Sequence, residues 1–342
     1  MSDTREILMK VEDLKTYFPV RKGVFKRTAG YVKALDGVDL EIYRGETLGI
    51  VGESGCGKTT LGKSVLRLHT PNGGKVHYAF PDGMRNILEL KGSELDEARR
   101  RLQIVFQDPY SSLNPSFTIF GSFDDPLRKF GVKSKKDRQK IVEKLLSDVN
   151  LPGDYMTRYP NEFSGGQRQR IGIARALSVD PELIVCDEAV SALDVSIQAQ
   201  VLKLLRRLQS ERNLTYLFIT HDLSVVEYVA DRIAVMYLGK VVELADTEEL
   251  FRRTLHPYTQ ALLSAIPIAD ITKRKKRIPL QGDVPSPVNP PSGCTFHPRC
   301  AFATEKCREL SPQLETFTFE GREHLVRCHY ALDVTSRTQV SQ

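Results

Sequence analysis

Apolar and polar residues alternate along roughly the first 50 positions, as in VEDLKTYFPV and YVKALDGVDLEIY. A period of two places one face of a β-strand in a core and the other in water, so the chain is expected to begin with β-structure. The pattern then changes to a short apolar run, TLGIVG at 47–52, which predicts a buried strand. We expect this strand to lead through a glycine-rich turn into a helix that begins near Lys58.

Helical spacing replaces the alternation between about residues 125 and 180. Ser134 is a suitable N-cap for a helix in this segment, and Pro152–Gly153 is expected to end it. The apolar stripe of this helix is formed by Ile141, Val142, Leu145, Leu146 and Val149.

Strands and helices alternate in the next segment. Apolar runs at 182–188 (ELIVCDE) and 215–220 (TYLFIT) predict strands, with an amphipathic helix at 197–212 between them. This order predicts an α/β fold with a mostly parallel sheet and helices packed on it. The predicted buried face of the helix consists of Ile197, Val201, Leu204, Leu205 and Leu208.

The composition of the 342 residues is that of an ordinary globular protein, with 41% hydrophobic and 27% charged residues. Its net charge of +6, from 49 basic and 43 acidic residues, favours neither a lipid surface nor nucleic acid. No run approaches the ~18 apolar residues of a membrane-spanning helix, and MSDTREILMK lacks the apolar core of a secretory signal. We expect the protein to stay in the cytoplasm and to meet a membrane through a partner or a surface patch.

A glycine-rich motif points to phosphate binding. GESGCGKTT fits G-x-x-x-x-G-K-[ST] between a predicted strand and a predicted helix, the context that this pattern requires. Its backbone N–H groups would converge on phosphate oxygens, Lys58 would meet the β- and γ-phosphates, and Thr59 would offer a hydroxyl to Mg²⁺. The predicted ATP-binding residues are Gly52, Glu53, Ser54, Gly55, Cys56, Gly57, Lys58, Thr59 and Thr60.

Two acids end the apolar run ELIVCDE. Asp187 is placed to hold Mg²⁺, and Glu188 to orient or deprotonate the attacking water, which is the chemistry that hydrolysis of a triphosphate needs. Two acids after an apolar strand are more often a solvated strand end. Their occurrence with the glycine-rich loop favours the catalytic interpretation.

FSGGQRQR at 163–170 resembles the signature motif of ABC ATPases, with Phe163 where leucine is commoner. The other motifs of that family follow in its order: Gln107 in QIVFQDP resembles the Q-loop, SALD at 191–194 the D-loop, and His221 in FITHD the switch histidine. The resemblance covers about residues 8–265. It implies a P-loop, RecA-like core with an N-terminal antiparallel β-region, an inserted helical subdomain and a small cysteine-containing C-terminal extension.

The same resemblance implies a role for each matching residue. Gln107 would sense Mg²⁺ and couple to membrane subunits, Asp194 would link two sites in a dimer, and His221 would contact the γ-phosphate. An aromatic residue near the N-terminus would stack on adenine, with Phe18 the better match and Tyr17 the alternative. The residues that would contact ATP bound to the opposite subunit are Ser164, Gly165, Gly166 and Gln167.

The implied domains are a nucleotide-binding domain at 1–255, with a helical signature subdomain at about 108–178, and an extension at 256–342. Prolines and a basic run from Lys273 to Arg277 precede the cysteines. This run is interpreted as a solvated linker, with contact to anionic lipid headgroups as the alternative.

Four cysteines crowd the extension at Cys294, Cys300, Cys307 and Cys328. Their spacing lacks the paired C-x2-C knuckles of common zinc sites, and four thiolates suit zinc or a four-iron four-sulfur cluster. With LHPYTQALLSAIP at 255–267, this tail resembles the extension of peptide-importer ATPases, some of which carry such a cluster. The cluster is therefore preferred over zinc and uncoordinated thiols, whereas Cys56 and Cys186 are expected to be small packing residues.

The resemblance is to the oligopeptide/dipeptide (peptide/nickel) importer family, and DEAVSALD, with Ala189–Val190 after the acids, is similar to one of its paired ATPase subunits. It implies an ATPase that acts as a translocase at the cytoplasmic face of the membrane. Its partners would be two permease subunits, a second homologous ATPase subunit or a second copy of this chain, and an extracytoplasmic solute-binding protein. Oligosaccharide or nickel uptake is the alternative. Two other interpretations are less favoured. One is a non-transport ABC ATPase acting on nucleic acid or ribosomes, which would usually carry coiled coils or tandem cassettes. The other is a binding module with a dead ATPase.

Overall fold

The computed structural model describes residues 5–22, 27–108, 112–266 and 277–332. The strands of this part of the chain are β1 (Ile7–Lys22), β2 (Arg27–Tyr43), β3 (Thr47–Val51), β4 (Gly73–Phe80), β5 (Gly83–Asn86), β6 (Leu102–Val105), β7 (Leu183–Asp187), β8 (Thr215–Ile219), β9 (Arg232–Tyr237), β10 (Lys240–Asp246), β11 (Glu315–Phe319) and β12 (Arg322–Val326). Its α-helices are α1 (Lys58–Val65), α2 (Gly92–Arg101), α3 (Ile119–Lys129), α4 (Lys135–Asp148), α5 (Gly165–Leu177), α6 (Val195–Arg212), α7 (Leu223–Val229), α8 (Thr247–Arg252), α9 (Pro257–Ser264) and α10 (Glu305–Glu309).

The chain divides into two compact units. The first unit comprises residues 1–7, 43–47 and 89–219, and the second comprises 8–42, 48–88 and 220–342. The β-rich beginning, the strand at the start of the glycine-rich motif and the helix that begins at Lys58 are confirmed.

The first unit contains a parallel set of three strands, β6-β7-β8, as the alternation of strands and helices predicts. Leu102 pairs with Leu183, and Leu183 with Thr215. Every residue of β7 and β8 is buried, which is the burial expected of a parallel strand covered on both faces. The carboxyl end of β7 therefore presents the two predicted catalytic acids at one edge of this set.

Helix α4 begins where the sequence predicts. The Ser134 hydroxyl accepts a hydrogen bond from the N–H of Asp137, which supplies one of the missing partners at a helix N-terminus. The predicted stop at Pro152–Gly153 is too late, because the helix ends at Asp148 and a short 3₁₀ helix occupies Gly153–Thr157. Asn150 turns the chain there with φ of 59°, a left-handed conformation that asparagine tolerates better than most residues.

The second unit departs from the parallel prediction. Strands β3 and β9 are parallel, but β10 returns antiparallel to β9. The two residues between β9 and β10, Leu238 and Gly239, have φ of 43° and 75°, the left-handed pair that a two-residue hairpin turn needs. The strand order in this part of the unit is β11-β12-β10-β9-β3.

A second sheet in the same unit has the order β2-β1-β4-β5, and β4 is antiparallel to both β1 and β5. This matches the antiparallel β-region that the family resemblance implies. The division at residue 255 stays a prediction, and the basic run lies outside the described residues except for Arg277.

Candidate active site

The glycine-rich loop joins β3 to α1 in the second unit. Gly52 and Gly57 have φ of 149° and 108°, and each approaches other backbone closely. An added Cβ would lie 2.3 Å from the Met236 carbonyl oxygen at Gly52, and 2.2 Å from the Ala34 carbonyl oxygen at Gly57. Both positions therefore need glycine, for space as well as for backbone conformation.

Lys58 is folded back onto this loop. Its ammonium donates to the carbonyl oxygens of Gly52, at 2.7 Å, and of Glu53, at 3.1 Å, and the residue is 5% exposed. Ser54 and Gly55 form the exposed tip of the loop. The loop thus encloses one cation at the beginning of a helix, an arrangement suited to phosphate.

The aromatic candidates near the N-terminus differ in their contacts. The Tyr17 hydroxyl donates to the Asp36 carboxylate at 2.5 Å, and burial followed by this carboxylate raises the Tyr17 pKa to about 12. The half-buried Phe18 ring packs edge-on against His69, with ring centroids 5.4 Å apart. Because Tyr17 is already engaged through its hydroxyl, the contacts favour Phe18 as the stacking residue.

His221 belongs to the same unit and is exposed between β8 and α7. The next residue, Asp222, caps α7 by accepting from the N–H of Ser224 at 2.9 Å. His221 therefore lies directly before the capped N-terminus of α7.

The acid pair lies in the first unit, at the end of β7. Asp187 is 4% exposed, and Glu188 adopts a left-handed φ of 48°, which is strained for a residue with a side chain. The Glu188 N–H donates to the Ile219 carbonyl oxygen at 2.9 Å, and the Ser191 N–H donates to the Glu188 carbonyl oxygen at 3.1 Å. These bonds hold the strained residue in place.

The structure brings two predicted catalytic residues together. The Gln107 side-chain amide donates to the Glu188 carboxylate at 2.7 Å, although 81 residues separate them in the chain. An amide donor at this distance fixes the orientation of the Glu188 carboxylate and adds no charge to it.

The signature motif forms the beginning of α5. The Ser164 hydroxyl accepts from the Gln167 N–H at 3.4 Å, and the Gln167 side-chain oxygen accepts from the Ser164 N–H at 3.0 Å. This reciprocal capping box fixes the serine at the helix entrance, followed by two glycines.

Asp194 caps α6 in the same way. Its carboxylate accepts from the Ile197 N–H at 3.0 Å and from the Ser196 hydroxyl at 2.7 Å. These hydrogen bonds, that of Ile197 first, lower the Asp194 pKa. The D-loop aspartate is therefore an anion with fixed geometry.

One cavity of about 580 Å³ unites these motifs within the first unit, a size in the range of small-molecule sites. Gly166 faces Ile197 so closely that an added Cβ would lie 2.5 Å from its Cγ2. The lining residues are Gln107, Asp108, Ser164, Gly165, Gly166, Ala192, Leu193, Asp194 and Ile197.

Sequence reasoning missed two of these residues. Ile197 is predicted as part of the buried face of its helix, but it is only half-buried and lines the cavity, because α6 begins at Val195 and Ile197 lies in its first turn. No motif assigns a role to Asp108, although its position directly after Gln107 is a signal that could identify it.

The four C-terminal cysteines line a second, nearly closed cavity in the second unit. It measures about 20 Å³, room for about one water molecule, and is also lined by His256, His297 and His329. All six cysteines of the chain are free thiols. Among the residues that the structure describes, no group of three or more His, Cys, Asp or Glu side chains could hold a metal ion. Four thiols on one cavity are suitable donors for a thiolate-bound group, but the cavity as it stands is too small for a four-iron four-sulfur cluster.

Burial perturbs these thiols. It raises the pKa of Cys300 to about 11 and that of Cys328 to about 12, and it also raises the pKa of Cys294. The other three cysteines add to the shift at Cys328. Cys56 and Cys186 are 3% and 0% exposed, the burial expected of packing residues.

Within the described residues, no helix has the length and apolar character needed to cross a bilayer.

Comparison with known proteins gives matches to two family models. Residues 35–191 match the ABC transporter model, and residues 242–307 match the model of the oligopeptide/dipeptide transporter C-terminal region. The second match covers the beginning of the cysteine-containing segment.

Similar proteins cover almost the whole chain. The chain is 50% identical over 327 residues to the oligopeptide transport ATP-binding protein AppF of Bacillus subtilis, spanning 95% of this chain and 98% of that protein. It is 49% identical to the dipeptide transport ATP-binding protein DppF of Haemophilus influenzae, over 94% of this chain and 96% of that one. It is 48% identical to the oligopeptide transport ATP-binding protein OppF of Salmonella typhimurium, over 92% and 94%.

Solved structures give the same fold. The dimeric structure of an ATP-binding cassette in a post-hydrolysis state, bound to ADP and phosphate, matches with a TM-score of 0.61 and 29% identity. The match covers 70% of this chain and 99% of that one.

Proposed function

Because the chain belongs to the ABC transporter family, we propose that it is the ATP-hydrolysing subunit of an importer for oligopeptides or dipeptides. The observation that carries the proposal is the similarity of nearly the whole chain, including its C-terminal region, to peptide-transport ATP-binding proteins. The structure supports it with a catalytic pair, Gln107 and Glu188, in hydrogen-bond contact.

We assign ATP binding to the glycine-rich loop. The N–H groups of the loop and the Lys58 ammonium hold the β- and γ-phosphates, and the Phe18 ring stacks on adenine. The buried carboxylate of Asp187, the Thr59 hydroxyl and the Gln107 side chain are oxygen donors of the kind that Mg²⁺ prefers. When bound, this ion neutralises charge on the phosphates.

Glu188 is assigned as the group that orients and deprotonates the attacking water. Its carboxylate is held by the Gln107 amide, and its strained backbone is anchored on both sides, so the group is preorganised. The position of this carboxylate is decisive, since proton transfer requires that the base lie within hydrogen-bond reach of the water. His221 is assigned to contact the γ-phosphate.

The cavity of about 580 Å³ that the signature motif lines is assigned to ATP bound by an opposite subunit. The Ser164 hydroxyl and the N–H groups of Gly165 and Gly166 lie at a helix N-terminus, which favours an anion. The Asp194 carboxylate lines the same cavity. It is assigned to link the two sites of the dimer. Binding of ATP then favours the closed dimer through its higher affinity for that state.

The partners in this account are two permease subunits, a solute-binding protein on the far side of the membrane and a second ATPase subunit. The chain itself would associate peripherally with the membrane through the permeases. The solute would be recognised by the binding protein, so its chemistry need not be encoded in this chain.

We further propose that Cys294, Cys300, Cys307 and Cys328 form one site for a thiolate-bound group, which is either the four-iron four-sulfur cluster that the family resemblance implies or zinc. Convergence of four thiols on one cavity supports a shared ligand. A four-iron cluster needs more room than the about 20 Å³ that the cavity encloses, so the thiols would have to move apart to bind it. Iron, acid-labile sulfide and zinc should be measured on anaerobically purified protein. Iron together with sulfide would support the cluster, and zinc alone would support a zinc site. The absence of both metals would refute the proposal.

The test of the importer proposal is ATP hydrolysis by the chain in complex with its co-expressed permeases and partner ATPase. We expect binding protein loaded with peptide to stimulate hydrolysis, and Glu188→Gln to abolish most of the stimulated rate. Stimulation by an oligosaccharide- or nickel-loaded binding protein would refute the peptide assignment. Stimulation by nucleic acid or ribosomes, without copurifying permeases, would refute the transporter.

A further inference from the structure

Glu53, the second residue of the glycine-rich loop, is paired with an arginine from the cysteine-containing segment. The Arg299 guanidinium donates to both carboxylate oxygens of Glu53, at 2.6 and 3.1 Å. The Arg299 side chain is 5% exposed and that of Glu53 is 26% exposed. A two-pronged pair of this kind, largely removed from water, fixes geometry as well as charge.

A second contact from the same part of the chain reaches the backbone of Glu53. The Tyr258 hydroxyl, on α9, accepts a hydrogen bond from the Glu53 N–H at 2.9 Å. Tyr258 is fully buried, and its ring packs against Tyr237 and Phe296, with centroid distances of 4.8 and 5.4 Å. The hydroxyl is therefore held rigidly.

Phe296 also connects Tyr258 to Arg299. Its backbone carbonyl accepts a hydrogen bond from the Arg299 N–H at 3.0 Å. The arginine and the tyrosine thus approach Glu53 from one packed aromatic cluster, consisting of Tyr237, Tyr258 and Phe296.

Glu53 also contacts the cation of the loop. Its backbone carbonyl oxygen accepts a hydrogen bond from the Lys58 ammonium at 3.1 Å. A carboxylate next to the exposed tip of a phosphate loop would repel a bound triphosphate. Pairing with Arg299 cancels this charge, and the Tyr258 hydroxyl fixes the backbone that bears it.

We propose that Arg299 and Tyr258 are positioning residues of the ATP site, which hold Glu53 so that the loop accepts phosphate. This inference rests on the assignment of residues 52–60 as the phosphate site. It makes the C-terminal segment a working part of nucleotide binding in addition to any group that its cysteines hold.

The test compares the Kd for MgATP of the purified full-length chain with the turnover rate of the complex at saturating ATP. Arg299→Met should raise the Kd roughly tenfold, the effect of losing about one charged hydrogen-bond pair, with little change in saturated turnover. The double variant Arg299→Met/Glu53→Gln should recover most of the affinity, because the uncompensated charge is gone. Arg299→Lys and Tyr258→Phe should each raise the Kd by about threefold.

The matched control is Arg322→Met, which removes an arginine of the same segment from its exposed pair with Glu248. It should leave the Kd unchanged. A wild-type Kd for Arg299→Met, or no recovery in the double variant, would overturn the proposal. If Arg299→Met does not fold, Arg299→Lys and Tyr258→Phe decide it, and wild-type affinity in both would overturn it.

Lys58→Ala separates this inference from the assignment on which it rests. Unchanged ATP binding in Lys58→Ala would mean that the loop is not the phosphate site. Loss of binding in Lys58→Ala with wild-type affinity in the Arg299 and Tyr258 variants would refute the positioning role alone.

Discussion

The carboxylate of Glu243 anchors the beginning of α9 and should be among the most sensitive positions for stability. It is fully buried on β10 and accepts from the N–H groups of Leu255, at 2.6 Å, and His256, at 3.2 Å. It also bonds to the Nε2 atom of His324 on β12, at 2.8 Å. One side chain thus ties a strand pair to the helix that carries Tyr258.

The expected cost follows from these three partners. Glu243→Leu leaves two buried N–H groups and a buried imidazole without their acceptor, and should lower the free energy of unfolding by about 3–5 kcal/mol. Glu243→Gln keeps one oxygen for two of the donors and sets an amide NH₂ against the third. Its cost should be smaller, about 1.5–3 kcal/mol. A domain is stable by only about 5–15 kcal/mol, so the leucine variant should lose a large part of its stability.

Urea titration of the purified chain measures both values. The chain has no tryptophan, so unfolding is followed by far-ultraviolet circular dichroism. We expect the midpoint of Glu243→Leu to fall by roughly 1–2 M, with an intermediate shift for Glu243→Gln. Glu248→Gln, at an exposed ion pair, is the control and should unfold at the wild-type midpoint. A wild-type midpoint for Glu243→Leu would refute the anchoring role.

Three further predictions concern single groups. Burial lowers the His256 pKa to about 4, so the unfolded chain takes up a proton first and the free energy of unfolding should decline as the pH falls from about 6.5 towards 4. Urea titration at each pH measures this decline, which should be smaller in His256→Asn. Equal declines in the two proteins would contradict the prediction. Burial raises the Cys186 pKa to about 12, so mass spectrometry should show slow maleimide labelling there until urea unfolds the chain, and rapid labelling of the native chain would disprove it. Phe18→Ala should weaken ATP binding roughly tenfold in an equilibrium titration, whereas Tyr17→Phe should not, and equal effects would reject Phe18 as the stacking residue.

Local chemistry explains which predictions from the sequence were confirmed. The glycine-rich turn, the Ser134 cap and the helix that begins at Lys58 each depend on residues a few positions apart. Short-range hydrogen bonds and backbone preferences determine such features, so the pattern of a short segment is sufficient. The family motifs then place Gln107 and Glu188 among the catalytic residues, and the structure shows them in contact.

Features that depend on distant pairing left no such signal. Glu53 and Arg299 are 246 residues apart, and an arginine beside a cysteine gives no indication of its partner. The antiparallel return of β10 and its pairing with β12 likewise depend on tertiary contacts. The presence of four cysteines and the family resemblance indicate a thiolate site, but only the structure shows that the four thiols enclose about 20 Å³.

The most direct test of the central claim is ATP-driven uptake of a labelled peptide into vesicles that contain the chain, its permeases and its partner ATPase. With peptide-loaded binding protein, we expect accumulation that requires ATP in the compartment facing this chain and that falls to background in Glu188→Gln. The variant should still bind ATP with wild-type affinity, because Glu188 acts on the water. Undiminished uptake in Glu188→Gln, or no ATP-dependent uptake by the wild-type complex, would contradict the account.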